Sequence, residues 1–295
     1  MTRASTGREL LAIGLAFAVA VALLSSSCQR PQEPTKNALK STTPAVESKQ
    51  NKTDSQDIPS KPPSKEPGRG PDDSAPWRPA GAKVTPLGPN LALGVAGDRR
   101  WVEIQATVCL TAGYLEHLLS RDEAGKQHES ILSTSIDASH IHAALIAAGA
   151  KPGKPVQFLN EKGEPEFRPP SGDRIRITLH YRDKDGKIVS VPAQRWVRNV
   201  KTKKELDQDW VFAGSFFFQP EGVEKPIYAA NDGRVITTAN FPSALLDLPM
   251  RSEEGDPQAG LEFEANTELI PPRDTPVTVV LEVIKPDESP EKGDS

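Results

Sequence analysis

Three adjacent residues, His128, Glu129 and Ser130, offer the most suggestive local chemistry in this chain. They follow the polar stretch RDEAGKQ and precede an apolar run, which places them at the rim of a sheet. A histidine beside a carboxylate is the combination used for acid–base work or for metal ligation. On a strand, His128 and Ser130 would share a face and Glu129 would point away. The fourth residue after His128 is Leu132, so the zinc motif HExxH is not formed. A second candidate, His142, lies two positions from His140. On a helix those two are about 200° apart and cannot chelate one ion. His142 meets His128 only if the helix packs over the rim, and His128 with His142 is then the expected metal pair. His140 is expected to face solvent or to support the helix start, and His117 and His180 sit singly on strands as surface or satisfied histidines.

Other groups read as structural. Cys109 lies in an apolar, β-rich stretch and is expected to pack as a small hydrophobe. Ser215, in Ala213-Gly214-Ser215-Phe216-Phe217, lacks the flanking glycines of a nucleophile elbow. Asp183-Lys184-Asp185-Gly186 lacks the later ligands of a calcium loop and reads as a turn. No phosphate-binding or dinucleotide fingerprint follows a strand. The run Phe216-Phe217-Phe218 puts aromatic rings on both faces of a strand, where they serve core packing or a partner surface.

The elements that must position these groups are mostly strands. Trp101–Leu110 is rich in Val, Ile and Thr, and the preceding GDRR reads as a hairpin turn. Arg174–Tyr181 alternates, with Ile175, Ile177 and Leu179 on one face, and the Asp-Gly turn leads into Lys187–Val191. Tyr114–Leu119, Ser130–Ile136, Trp210–Phe218, Ile227–Ala230, Val235–Ala239 and Pro276–Ile284 are further strand candidates. One helix is expected after Asp137 as N-cap, with Ile141, Leu145 and Ala148 at helical spacing and Gly149 at its end. A second, shorter one is expected near Pro242 in FPSALLDLP. The pattern predicts an α+β domain, mainly antiparallel β-sheet with one or two short helices, preceded by a disordered tether.

The stretches LEHLLS, KQHESIL and HIHAALIAAGAKPGKPVQF, together with PAQRWVRNVKT, DWVFAGSFFF and ITTANFPSALLDLP, resemble the YdjY-type domain family of bacterial envelope proteins. The resemblance covers roughly residues 84–284. It implies an envelope protein but no settled activity. Some members of the family carry a ferredoxin-like label. Cys28 and Cys109 are the only cysteines here, too few for a four-thiolate cluster. No cofactor is expected.

The chain's 295 residues carry a formal charge of −4. That balance argues against a nucleic-acid binder, which needs a basic excess. Arg3 and Arg8 precede an uncharged run, Leu10–Leu24, too short to span a bilayer and right for a secretory leader. Ser25-Ser26-Ser27-Cys28 resembles a lipobox, so residues 1–27 read as a signal peptide and Cys28 as the lipidated residue. Gln29 in place of Asp favours the outer membrane. Residues 28–82 hold ten prolines and few large apolar residues, and such a segment reads as a disordered tether. As a flexible coil it would span about 40 Å. The globular domain is expected at 83–285 and a disordered tail at 286–295.

Two readings follow. In the first, the protein is a lipid-anchored module of the cell envelope, on the outer membrane or periplasmic face, that binds rather than catalyses. Its partners would be the membrane, through the N-terminal lipid, and an envelope protein. In the second, it is a metal-dependent or acid–base enzyme using His128, Glu129 and His142.

Overall fold

A computed structural model describes residues 75–161, 164–251 and 262–284. The expected leader 1–27, the lipidation site Cys28, most of the 28–82 segment and the tail 286–295 lie outside the described residues. No helix among the described residues is long and apolar enough to cross a membrane.

In chain order, β1 (Lys83–Gly88), β2 (Leu91–Ala96) and β3 (Arg99–Val108) form a meander, and β4 (Tyr114–Leu115), β5 (His117–Arg121) and β6 (Ser130–Thr134) follow. The helix α1 (Ala138–Ala147), the one α-helix among the described residues, leads to the hairpin β7 (Gln157–Glu161) and β8 (Glu164–Arg168). A longer hairpin, β9 (Arg174–Arg182) and β10 (Ile188–Pro192), comes next. The short strands β11 (Val197–Asn199), β12 (Trp210–Phe212), β13 (Phe217–Phe218) and β14 (Ile227–Tyr228) follow it. The last described strands are β15 (Arg234–Thr237), β16 (Leu246–Asp247), β17 (Phe263–Ala265) and β18 (Pro276–Val283).

The main sheet closes on itself. Hydrogen bonding runs β3-β18-β9-β12-β16-β15-β5-β6, and β6 pairs back onto β3. One edge of β3 belongs to β18. Its other edge serves β2 along Arg99–Ile104 and β6 at Thr107–Val108. Closure gives every strand of the ring a partner on both sides, and β1 and β10 remain as edge strands outside it. The pairs β5–β6 and β15–β16 are parallel, and the other pairs in the ring are antiparallel. The interior holds Ile175, Ile177 and Leu179, the alternating residues of β9, with Val102, Ile104, Leu119, Trp210 and Phe212, all fully buried. Each such side chain contributes about 2 kcal/mol relative to exposure.

Three expectations are corrected. The FPSALLDLP run is not a helix. Ala244 through Leu248 are buried without interruption, and Leu246-Asp247 form β16, their backbone pairing with β12 and β15 instead of within a helical turn. The expected strand Trp210–Phe218 breaks into β12 and β13, because Gly214 (φ +88°) and Ser215 (φ +53°) turn left-handed between them. Asp137 holds the N-cap position of α1, yet its side chain makes no cap bond. It pairs with Arg121 at 3.0 Å, and Asn231 Oδ1 accepts from the Ser139 N–H instead.

Described residues upstream of Lys83 also pack on the barrel. Trp77 stacks on His180 with ring centroids 4.2 Å apart. Arg78 donates to both carboxylate oxygens of the fully buried Glu103, at 2.9 and 2.7 Å. Trp101 Nε1 donates to the same carboxylate at 2.8 Å. A methyl group on Gly94 would lie 2.0 Å from the Trp101 ring, so β2 passes this indole only as glycine.

Candidate functional site

The described chain gathers its chemistry-bearing groups in two places. The first is the rim where β4, β5 and β6 meet. Glu116 sits between β4 and β5, and its N–H and that of His117 both donate to the carbonyl of Glu129, at 3.0 and 3.1 Å. The Glu116 carbonyl in turn accepts from Thr238 and Ala239. Parallel pairing then sets His117 beside Ser130. The backbone thus holds the side chains of Glu116, His117 and Glu129 together, and one potential ligand atom from each lies within 4.8 Å of the others.

His117 is fully buried, and neither ring nitrogen has a hydrogen-bond partner. Its Nε2 lies 3.5 Å from Glu129 Oε1 and 4.0 Å from Glu116 Oε2. The Phe241 ring covers it, with centroids 5.5 Å apart. Burial, reinforced by Lys126 and Arg234, pushes the imidazole down to about 3, so it stays neutral. Burial and the neighbouring Glu129 raise the Glu116 carboxyl. Lys126 Nζ stands 3.6 Å from Glu129 Oε1.

The HES triplet is not a strand. His128 and Glu129 lie in the turn before β6, and this bend brings His128 Nε2 to 3.5 Å from Glu129 Oε2. His128 is otherwise exposed, with Nδ1 near the Gly125 carbonyl. Ser130 is buried and its hydroxyl donates to the Leu132 carbonyl at 2.7 Å, away from the rim. Cys109 packs beneath, its thiol raised by burial and bonded to the Ser130 carbonyl.

The second place centres on His142. The Tyr228 hydroxyl donates to the Gly214 carbonyl at 2.7 Å, so it receives the proton on His142 Nδ1, also at 2.7 Å. His142 also meets Phe212 edge-on, with centroids 4.9 Å apart. Ser215 Oγ donates to the Ser243 carbonyl and accepts from the Ala230 N–H. This network fastens β13 and β14 to the barrel and to α1. None of the contacts of His142 is shared with His128, so the expected pair does not form one site. His140, two positions away, is exposed as expected.

The β13–β14 hairpin carries much of the apolar surface left in water. Phe216, Phe217, Phe218, Val223 and Ile227 are all exposed, Phe217 by 66%. Phe217 leans on Tyr228, with centroids 4.9 Å apart, and Phe216 meets Phe218 on the other side. The tip between the strands carries the charged Glu221, Glu224 and Lys225 around the exposed Val223, and Gln219 folds it back by bonding the carbonyls of Val223 and Glu224.

Glu116 and His117 were not legible as a site, although an adjacent Glu-His pair stands in the sequence. Their partner Glu129 arrives only through the β5–β6 pairing. Compared with known families, residues 93–282 match the YdjY domain. No curated protein and no solved structure matches the chain.

Proposed function

The chain belongs to the YdjY domain family, and from that premise we propose that it is a lipid-anchored envelope module that binds a protein partner through its aromatic hairpin. In this reading residues 1–27 are a signal peptide, Cys28 carries the lipid, and the Pro-rich segment lets the domain reach partners near the membrane.

The observation that carries the reading is the placement of Phe216, Phe217, Phe218 and Ile227 at the base of a hairpin held rigid from behind. A two-stranded hairpin is marginal by itself, and the Tyr228–His142–Gly214 bonds supply the support. Contiguous exposed aromatics on a monomer mark contact surfaces, and rigid rings lose little entropy on docking. The charges lie at the tip, with Val223 as its one large exposed apolar residue, and the aromatic band lies behind them. A hairpin built for lipid would carry its apolar residues at the tip. A protein cleft with an apolar floor and a basic rim would clasp both parts.

A photo-crosslinking phenylalanine analogue at Phe217 tests this in intact cells, with the exposed Tyr114 as control position. A discrete adduct at 217, lost when Phe216 and Phe218 are changed to Ser, is expected. No adduct beyond that at 114 would refute the reading.

A further inference from the structure

The hairpin accounts for His142 and leaves the β4–β5–β6 rim unexplained. Two carboxylates close together are common on surfaces and point to nothing. His117 changes that. It is wholly buried, and both of its ring nitrogens lack hydrogen-bond partners. Burying an unpaired polar group costs about 1–3 kcal/mol. Such groups are rare enough to require an explanation, and a bound ion is one of the standard ones.

We propose that Glu116, His117 and Glu129 bind one first-row divalent transition-metal ion of the zinc or manganese kind. The geometry is nearly formed. Ligand atoms about 2.1 Å from a tetrahedral ion are separated from one another by roughly 3.4 Å. His117 Nε2 already stands 3.5 Å from Glu129 Oε1 and 4.0 Å from Glu116 Oε2. A small rotation of the half-buried Glu116 side chain closes the set. In the tautomer protonated on Nδ1, the Nε2 lone pair of His117 faces both carboxylates, an arrangement that is repulsive without a cation. A divalent ion there converts all three into ligands and cancels both negative charges.

The donor set selects the ion class. Imidazole suits zinc and iron, whereas magnesium and calcium prefer oxygen alone, so one nitrogen with two carboxylates favours the borderline ions. Three protein ligands also leave at least one coordination position for water or a bound group. The backbone fixes the ligands from both sides, since the Glu129 carbonyl ties down Glu116 and His117, and Thr238 and Ala239 hold the Glu116 carbonyl.

The test uses the full chain, stripped with a chelator and titrated calorimetrically with zinc chloride and with manganese chloride. One ion per chain is expected for at least one of the two, with micromolar affinity or tighter and no displacement by excess calcium. Glu129→Gln should weaken binding about tenfold or more, and the pair Glu116→Gln with Glu129→Gln should abolish it. Both carboxylates are partly exposed, so these variants should fold, which circular dichroism checks. His140→Ala, an exposed histidine, should bind as the wild type does. Failure of both ions to bind stoichiometrically, or binding unmoved by the double amide variant, overturns the proposal.

Discussion

Two histidines in this barrel have opposite surroundings. His142 is half-buried and has a 2.7 Å partner in Tyr228, which is itself bonded to Gly214. His117 is fully buried and its nitrogens bond nothing. A satisfied network holds something in place, here the aromatic hairpin. An unsatisfied imidazole set against two carboxylates is where an ion could supply the missing partner. The contrast separates scaffold from site better than exposure does, because the less accessible histidine is the one with chemistry to offer.

The widest effect that sharpens this contrast is pH. Burial raises Asp247, beneath the loop carrying Phe241, from 3.8 to about 7. The folded state therefore retains its proton, and its contribution is full below about 4 and lost as pH rises through 7. His117 is lowered from 6.5 to about 3, so its contribution is full above 6.5 and lost as pH falls through 3. Between about 4 and 6.5 the two slopes oppose each other. In the metal-stripped chain, Asp247→Asn should therefore gain stability with rising pH more steeply than wild type, read from denaturant midpoints. Equal slopes would break the argument.

Next in size, Tyr228→Phe removes the hydroxyl shared by Gly214 and His142 and should cost about 2 kcal/mol by denaturant unfolding. His117→Leu removes no hydrogen bond, and in the metal-stripped chain it should be neutral or stabilising by about 1 kcal/mol. A large loss there would show that His117 is scaffold after all. Smaller again is Lys126→Met. The ammonium 3.6 Å from Glu129 Oε1 competes with a metal ion for the same oxygen. Its removal should tighten zinc binding about fivefold, near 1 kcal/mol of like-charge repulsion at a partly screened distance. The smallest effect belongs to Phe217→Ser, which should change stability by less than about 0.5 kcal/mol because the ring is mostly in water. A larger loss would assign that ring to the fold instead of to a partner.

Local pattern made much of the fold legible. The alternation of Ile175, Ile177 and Leu179, the Gly97-Asp98 turn and α1 are all where periodicity and turn chemistry put them. Closure of the barrel was not legible, because β3 meets β18 and β6 through pairings that no local spacing encodes. The FPSALLDLP run deceived because Ala244, Leu245 and Leu248 fit helical spacing, while Leu246-Asp247 are taken up by pairing with β12 and β15, partners outside the run. At the rim, Glu129 stood out through its neighbour His128, whereas His117 looked like any lone strand histidine. What distinguishes it is the lack of a partner, and that is a property of three dimensions.

The clasp formed by Trp77 and Arg78 has a mechanical consequence. Any tension arriving along the residues before Ala75 is met first by the indole stacked on His180 and by the guanidinium fork on Glu103. Glu103 lies on β3, which is zipped to β18 over seven residue pairs, and β18 is zipped to β9 over seven more. The pull is thus spread into the longest strands of the wall. The one-pair seam between β15 and β16, the weakest stitch in the ring, is spared.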